Sequence, residues 1–90
     1  MNSNIKSWRN KIDKIDSKII SLLRQRLGVA KKIGKYKKKN GLPIKDLKRE
    51  RELLQKVAEK AKKRGLEDIK EIKLIFNSIM SYSRKTQKKV

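Results

Sequence analysis

The sequence predicts an all-α protein, a single domain over residues 1–90 with three helices, of which the first is very long. Apolar residues recur at steps of three and four over most of the chain, which is the spacing of a helix packed on other helices. Two breaks interrupt this spacing, a turn sequence at residues 40–43 and a glycine at position 65. No stretch of useful length alternates apolar and polar residues as a strand would.

The first helix is predicted from Ser7 to Lys39, because an apolar stripe with heptad spacing runs along this segment. The stripe consists of Ile5, Trp8, Ile12, Ile15, Ile19, Leu22, Val29, Ile33 and Tyr36. Further apolar residues beside the stripe indicate that more than one neighbour packs on this helix. Gly28 and Gly34 lie inside the segment, where each costs about 1 kcal/mol relative to alanine.

The second helix is predicted over residues 46–64 and the third over residues 67–88. Asp46 is a favourable N-cap residue after the break, and the basic residues before Gly65 are typical of a helix end. The third segment again carries apolar residues at helical spacing, among them Ile72 and Phe76.

The length of the first helix predicts a dimer. About 33 helical residues span roughly 50 Å, whereas a compact chain of this size has a diameter of roughly 30 Å. Half of the helix would overhang a monomer, with its apolar stripe in water. We therefore expect two chains to wrap around each other's long helices in an intertwined homodimer.

The composition excludes several kinds of chemistry. The chain has no cysteine and no histidine, which excludes disulfides, thiolate catalysis and histidine-based zinc sites. No stretch approaches the roughly 20 apolar residues of a membrane span, and residues 1–9 lack the features of a signal peptide, so we expect a cytoplasmic protein that does not enter a membrane. The 28 basic residues exceed the 9 acidic ones, which favours an anionic partner or reflects solubility alone.

Four polar residues occupy helical rows where apolar residues are expected. They are Arg26 on the first helix, Glu50 on the second, and Ser83 and Gln87 on the third. Any one of them could be a solvated side chain, since long polar side chains can extend to the surface. Together, on core-facing rows of three helices, they indicate a polar cavity inside a bundle that suits a small polyanion.

Short motifs follow one another through nearly the whole chain. They are Arg9-x-x-Ile12-Asp13-x-Ile15-Asp16, Leu22-Leu23-x-x-Arg26, Ile33-Gly34-x-x-Lys37, Gly41-x-Pro43-Ile44-x-Asp46-x-x-Arg49-Glu50 and Ser83-Arg84-x-x-Gln87. In order and spacing, these motifs resemble the all-helical chorismate mutases. The lysine surplus and the pair Arg84-Lys85 are unusual for that family.

The resemblance implies a domain-swapped homodimer with two identical pockets, which rearranges chorismate to prephenate on the route to phenylalanine and tyrosine. This pericyclic reaction needs no nucleophile, metal or cofactor, so a chain without histidine and cysteine can catalyse it. It requires that the flexible substrate be clamped, and that fixed donors meet the negative charge developing on the ether oxygen.

Carried over residue by residue, the resemblance implies that Arg26, and Arg9 of the other chain, each hold a substrate carboxylate. Lys37 and Gln87 hydrogen-bond the ether oxygen, and Glu50 holds the ring hydroxyl. The implied substrate-binding set is completed by Asp46 and Arg49 near Glu50, and by Ser83 near a carboxylate. Of these residues, Arg26, Lys37, Glu50 and Gln87 form the implied catalytic group.

Three alternatives stay open at this point. An isochorismate-pyruvate lyase of the same fold uses similar contacts, although Asp46-x-x-Arg49-Glu50 favours the mutase. A basic helical module could bind nucleic acid through the clusters at residues 35–39, 60–64 and 84–89. The scarcity of aromatic residues and the inward polar groups favour non-specific nucleic-acid binding at most. An inactive or regulatory relative, or a designed sequence, is the third alternative.

Overall fold

A computed structural model describes residues 2–90, which form the three helices α1 (Asn2–Lys39), α2 (Leu47–Lys63) and α3 (Ile69–Lys88). No strand occurs in these residues. The prediction of an all-α chain with a very long first helix is confirmed. The single domain over residues 1–90 stays a prediction, and its residue Met1 lies outside the described part. Within residues 2–90, no helix is both long and apolar enough to cross a membrane.

The start of α1 was predicted too late. The helix begins at Asn2, five residues before the predicted Ser7. No proline or glycine interrupts residues 2–6, and Ile5 continues the heptad stripe toward the N-terminus. The helical conformation therefore extends beyond the last strong sequence signal.

The boundaries of α2 and α3 are set by local hydrogen bonds. The Asp46 carboxylate accepts from the backbone N–H of Arg49 at 3.0 Å, as an N-cap should. Asp68 caps α3 in the same way, through the N–H of Glu71 at 3.2 Å, so α3 begins two residues later than predicted. After α2, Gly65 adopts a φ of +82°, which lets the chain leave the helix in a left-handed turn.

Helix α3 lies between the other two helices. It packs against both α1 and α2, whereas α1 and α2 make no direct packing contact with each other. The apolar residues buried within residues 2–90 are Ala30, Ala58, Ala61 and Met80. With so little apolar side chain enclosed, one chain alone has only a small core.

The N-terminal half of α1 extends away from the other helices. The chain measures 59 Å along its longest axis and only 25 and 15 Å along the others. The apolar stripe on this half of α1 is exposed to solvent, as the 58% exposure of Trp8 shows. Isolated exposed apolar residues are common, but a continuous stripe of this length marks an interaction surface.

Candidate active site

A cavity of about 450 Å³ lies where the C-terminal half of α1, the start of α2 and the end of α3 meet. Its apolar walls are formed by Val29, Ala30, Ile33, Ile44, Leu53 and Met80. Its polar residues are Arg26, Lys37, Asp46, Arg49, Glu50, Ser83, Arg84 and Gln87. Seven of the eight substrate-binding residues expected from the sequence therefore line one cavity, and Arg9 is the exception.

Arg26 forms the cationic wall of the cavity on α1. Its guanidinium donates a hydrogen bond to the hydroxyl oxygen of Ser83, a residue with only 7% exposure on α3. Burial lowers the pKa of Arg26, and the positive charge of Arg49 lowers it further. Arginine nevertheless stays charged at neutral pH. A partly desolvated cation next to a second cation favours the binding of an anion here.

Lys37 is held at the cavity by the turn that follows α1. Its ammonium donates to the carbonyl oxygen of Ile44 at 2.7 Å. The turn itself depends on Gly41, whose φ of +65° brings the N–H of Leu42 within 2.9 Å of the Lys37 carbonyl oxygen. An ammonium has three donors, and Lys37 uses one of them within residues 2–90, so two N–H groups stay available for a ligand.

Gln87 approaches α1 closely because Gly34 has no side chain. A Cβ atom at position 34 would lie 2.8 Å from the Cα and 2.9 Å from the carbonyl oxygen of Gln87. Gly34 therefore sets the spacing between the helix that carries Lys37 and the helix that carries Gln87. The Oε1 atom of Gln87 is buried and has no hydrogen-bond partner among residues 2–90. Oε1 can accept a hydrogen bond from a ligand in the cavity, whereas a contact with an acceptor of the ligand would use the two donors on Nε2.

Glu50 makes the ion pair of the site. Its Oε1 accepts from the Arg84 guanidinium at 2.7 Å, and both side chains are partly buried. Glu50 was predicted from the sequence as a site residue, whereas Arg84, which also lines the cavity, was not. Arg84 follows the buried Met80 by four residues, so it lies on the same side of α3, and this spacing could have identified it.

Asp46 and Arg49 lie at the start of α2, and both are exposed. The Oδ1 atom of Asp46 is occupied by the N-cap hydrogen bond described above, which orients the first turn of α2. This turn carries Arg49 and Glu50 to the cavity. Asp46 thus has a structural function in this chain, and its predicted contact with substrate stays a prediction.

Arg9 lies far from the cavity. It is on the protruding part of α1, beside Ile5, Lys6 and Asn10. The 17 residues that separate it from Arg26 along the helix correspond to about 25 Å. One chain cannot bring both arginines to the same ligand.

A family model described as chorismate mutase type II matches residues 8–88. The chain belongs to this family. It is 32% identical over 80 residues to a chorismate mutase of Methanocaldococcus jannaschii, and the match covers 89% of this chain and 80% of that protein. The prediction of a chorismate mutase family member is confirmed.

Other chorismate mutase relatives are longer proteins. The chain is 36% identical over 89 residues to a bifunctional chorismate mutase/prephenate dehydratase of Buchnera aphidicola, covering 99% of this chain but 23% of that protein. The chain thus spans less than a quarter of such bifunctional relatives. Among solved structures, a conserved hypothetical protein from Pyrococcus furiosus matches with a TM-score of 0.72 and 42% identity, covering 93% of this chain and 95% of that one.

Proposed function

We propose that the protein is a chorismate mutase, an isomerase that rearranges chorismate to prephenate. The observation that carries this proposal is the convergence of Arg26, Lys37, Glu50 and Gln87 on one cationic cavity in a chain of this family. None of the relatives named above bears the name of an isochorismate-pyruvate lyase or of a nucleic-acid-binding protein, so these two of the three alternatives gain no support.

The cavity supplies what the rearrangement needs. Arg26 would bind one carboxylate of the dianionic substrate through charge-assisted hydrogen bonds, and the apolar walls would hold the folded enolpyruvyl arm against the ring. Lys37 and Gln87 would donate to the ether oxygen as its negative charge develops, which lowers the barrier because donors held in place need no reorganisation. Glu50 would accept a hydrogen bond from the ring hydroxyl.

Purified protein is expected to consume chorismate, measured as loss of its absorbance, with prephenate as the product. Lys37→Ala should lower kcat about 100-fold or more, the scale of losing one donor to a developing oxyanion. Lys38→Ala removes the same charge from the exposed neighbouring residue and should retain wild-type activity. Absence of turnover in the wild-type protein would contradict the proposal, and salicylate formed from isochorismate would favour the lyase.

The active enzyme is proposed to be an intertwined homodimer in which each chain donates Arg9 to the cavity of the other. The exposed apolar stripe on α1 supports this proposal, since burial of such a surface is the main force of association. The separation between Arg9 and Arg26 supports it as well, because a second carboxylate needs a second cation.

Mixed dimers test the donation of Arg9. A dimer of one Arg9→Ala chain and one Lys37→Ala chain has one complete cavity, formed by the intact Lys37 of the first chain and the intact Arg9 of the second. Mixed dimers isolated with two affinity tags should show about half of wild-type activity, whereas each variant alone should be nearly inactive. Mixed dimers as inactive as the parent variants, or a wild-type protein that sediments as a monomer, would contradict the arrangement.

The cytoplasmic location of the protein stays a prediction. Nucleic-acid binding also stays a prediction. We expect it to be non-specific at most and sensitive to salt, because exposed lysines bind phosphates mainly through counterion release.

A further inference from the structure

The ion pair between Arg84 and Glu50 crosses the cavity from α3 to α2, with 2.7 Å between Nη1 and Oε1. It is the single salt bridge within residues 2–90, although the chain has 28 basic residues and 9 acidic ones. The side chains of Arg84 and Glu50 are 27% and 21% exposed. Partial burial weakens screening by solvent, so this pair is stronger than an exposed one.

Arg84 is adjacent to the residue that contacts α1. Ser83 accepts the hydrogen bond of Arg26 from α1, and Arg84 holds Glu50 of α2. Because α1 and α2 do not pack on each other, two consecutive residues of α3 connect the side chains that these two helices contribute to the cavity. The position of Glu50 relative to Arg26 therefore depends on this turn of α3.

The ion pair also addresses an electrostatic difficulty of the proposed reaction. A carboxylate in the cavity repels a substrate that carries two carboxylates, unless a cation offsets its charge. Arg84 offsets the charge of Glu50 through Oε1 and leaves Oε2 without a protein partner in the described residues. A carboxylate can accept hydrogen bonds at both oxygens, so Oε2 is available to the ring hydroxyl.

From this geometry we infer that Arg84 is a positioning residue for the mutase reaction, which fixes Glu50 and offsets its charge so that Glu50 can accept the substrate hydroxyl. This inference rests on the proposed mutase activity. Arg84 acts on the reaction through Glu50 and does not itself contact a substrate carboxylate.

A double-mutant cycle tests the assignment, with Arg84→Gln, Glu50→Gln and the double variant. Arg84→Gln alone should lower kcat/KM about tenfold, the scale of coupling within one salt-bridge network, mainly through a higher KM. In the Glu50→Gln background the same change should alter kcat/KM by less than about twofold, because no carboxylate is left to position. Arg84→Lys should recover most of the loss, since lysine restores the charge.

Lys85→Gln provides the matched control, because it removes the same charge from the exposed next residue and should keep wild-type kcat/KM. If the fold-losses in kcat/KM of Arg84→Gln and Glu50→Gln simply multiply in the double variant, the assignment is overturned. Direct substrate binding by Arg84 would then be indicated. A loss that tracks a lower melting temperature and spares KM would show a purely structural function. If wild-type protein does not convert chorismate, the proposed function fails and this inference fails with it.

Discussion

Replacement of Arg26 by leucine is expected to lower kcat/KM for chorismate about 100-fold or more, while the melting temperature stays the same or rises. The loss of activity follows from the loss of the proposed charge-assisted contact between Arg26 and a substrate carboxylate. Stability is retained because burial and the charge of Arg49 lower the pKa of Arg26, so the charged side chain is unfavourable in the folded chain. Removing it relieves that cost and gives up only the hydrogen bond to Ser83.

Steady-state kinetics and thermal unfolding of the same preparation measure both effects. Arg24→Leu is the matched control, because Arg24 lies two residues earlier on α1 and is exposed, and it should retain activity. A lower melting temperature together with wild-type activity in the folded fraction of Arg26→Leu would show that Arg26 is a structural residue.

Gly34→Ala is expected to lower kcat about 100-fold, the scale of a 1 Å displacement in a catalytic site. The added Cβ would lie 2.7 Å from Val90 Cγ2 and less than 3 Å from two backbone atoms of Gln87. Backbone atoms in a helix cannot move aside singly, so α3 must shift away from α1 and take Gln87 with it. Overpacking should also cost about 1–3 kcal/mol of stability.

Gly28→Ala is the natural comparison for this change. It makes the same substitution six residues earlier in α1, where a Cβ meets no atom of residues 2–90 within 4 Å. Alanine is the better helix former by about 1 kcal/mol, so Gly28→Ala should be as stable as the wild-type protein or more so, and active. Equal behaviour of the two variants would contradict the close approach of α1 and α3 at Gly34.

The ends of a helix could be predicted where capping or turn residues mark them in the sequence. Asp46 and Gly65 set the ends of α2, because a capping carboxylate and a left-handed glycine act within a few residues. The start of α1 was missed because residues 2–4 are Asn, Ser and Asn, which favour caps and turns over helix interiors. The position of α3 between α1 and α2 was not predictable, since helical periodicity gives the apolar face of a helix but not its neighbour.

The candidate site was predictable in part from periodicity and in part from resemblance. Arg26 and Glu50 interrupt apolar rows, and such interruptions locate a buried polar group without any knowledge of the family. Lys37 lies one turn after Ile33 of the apolar stripe, but its role came only from the resemblance, because one lysine among many gives no distinct sequence signal. Arg84 was missed because its importance lies in a partner 34 residues away in sequence, and no local pattern reports that contact.

The protruding half of α1 has a consequence for how the protein acquires its structure. An isolated helix with its apolar stripe in water is marginally stable, and this half of α1 packs on neither α2 nor α3. If a second chain covers the stripe, folding and association become one bimolecular event, and the melting temperature rises with protein concentration. Dilution would then unfold the protein as it separates the chains. The fraction of active protein would therefore fall on dilution, and activity would rise more steeply than in proportion to total protein concentration.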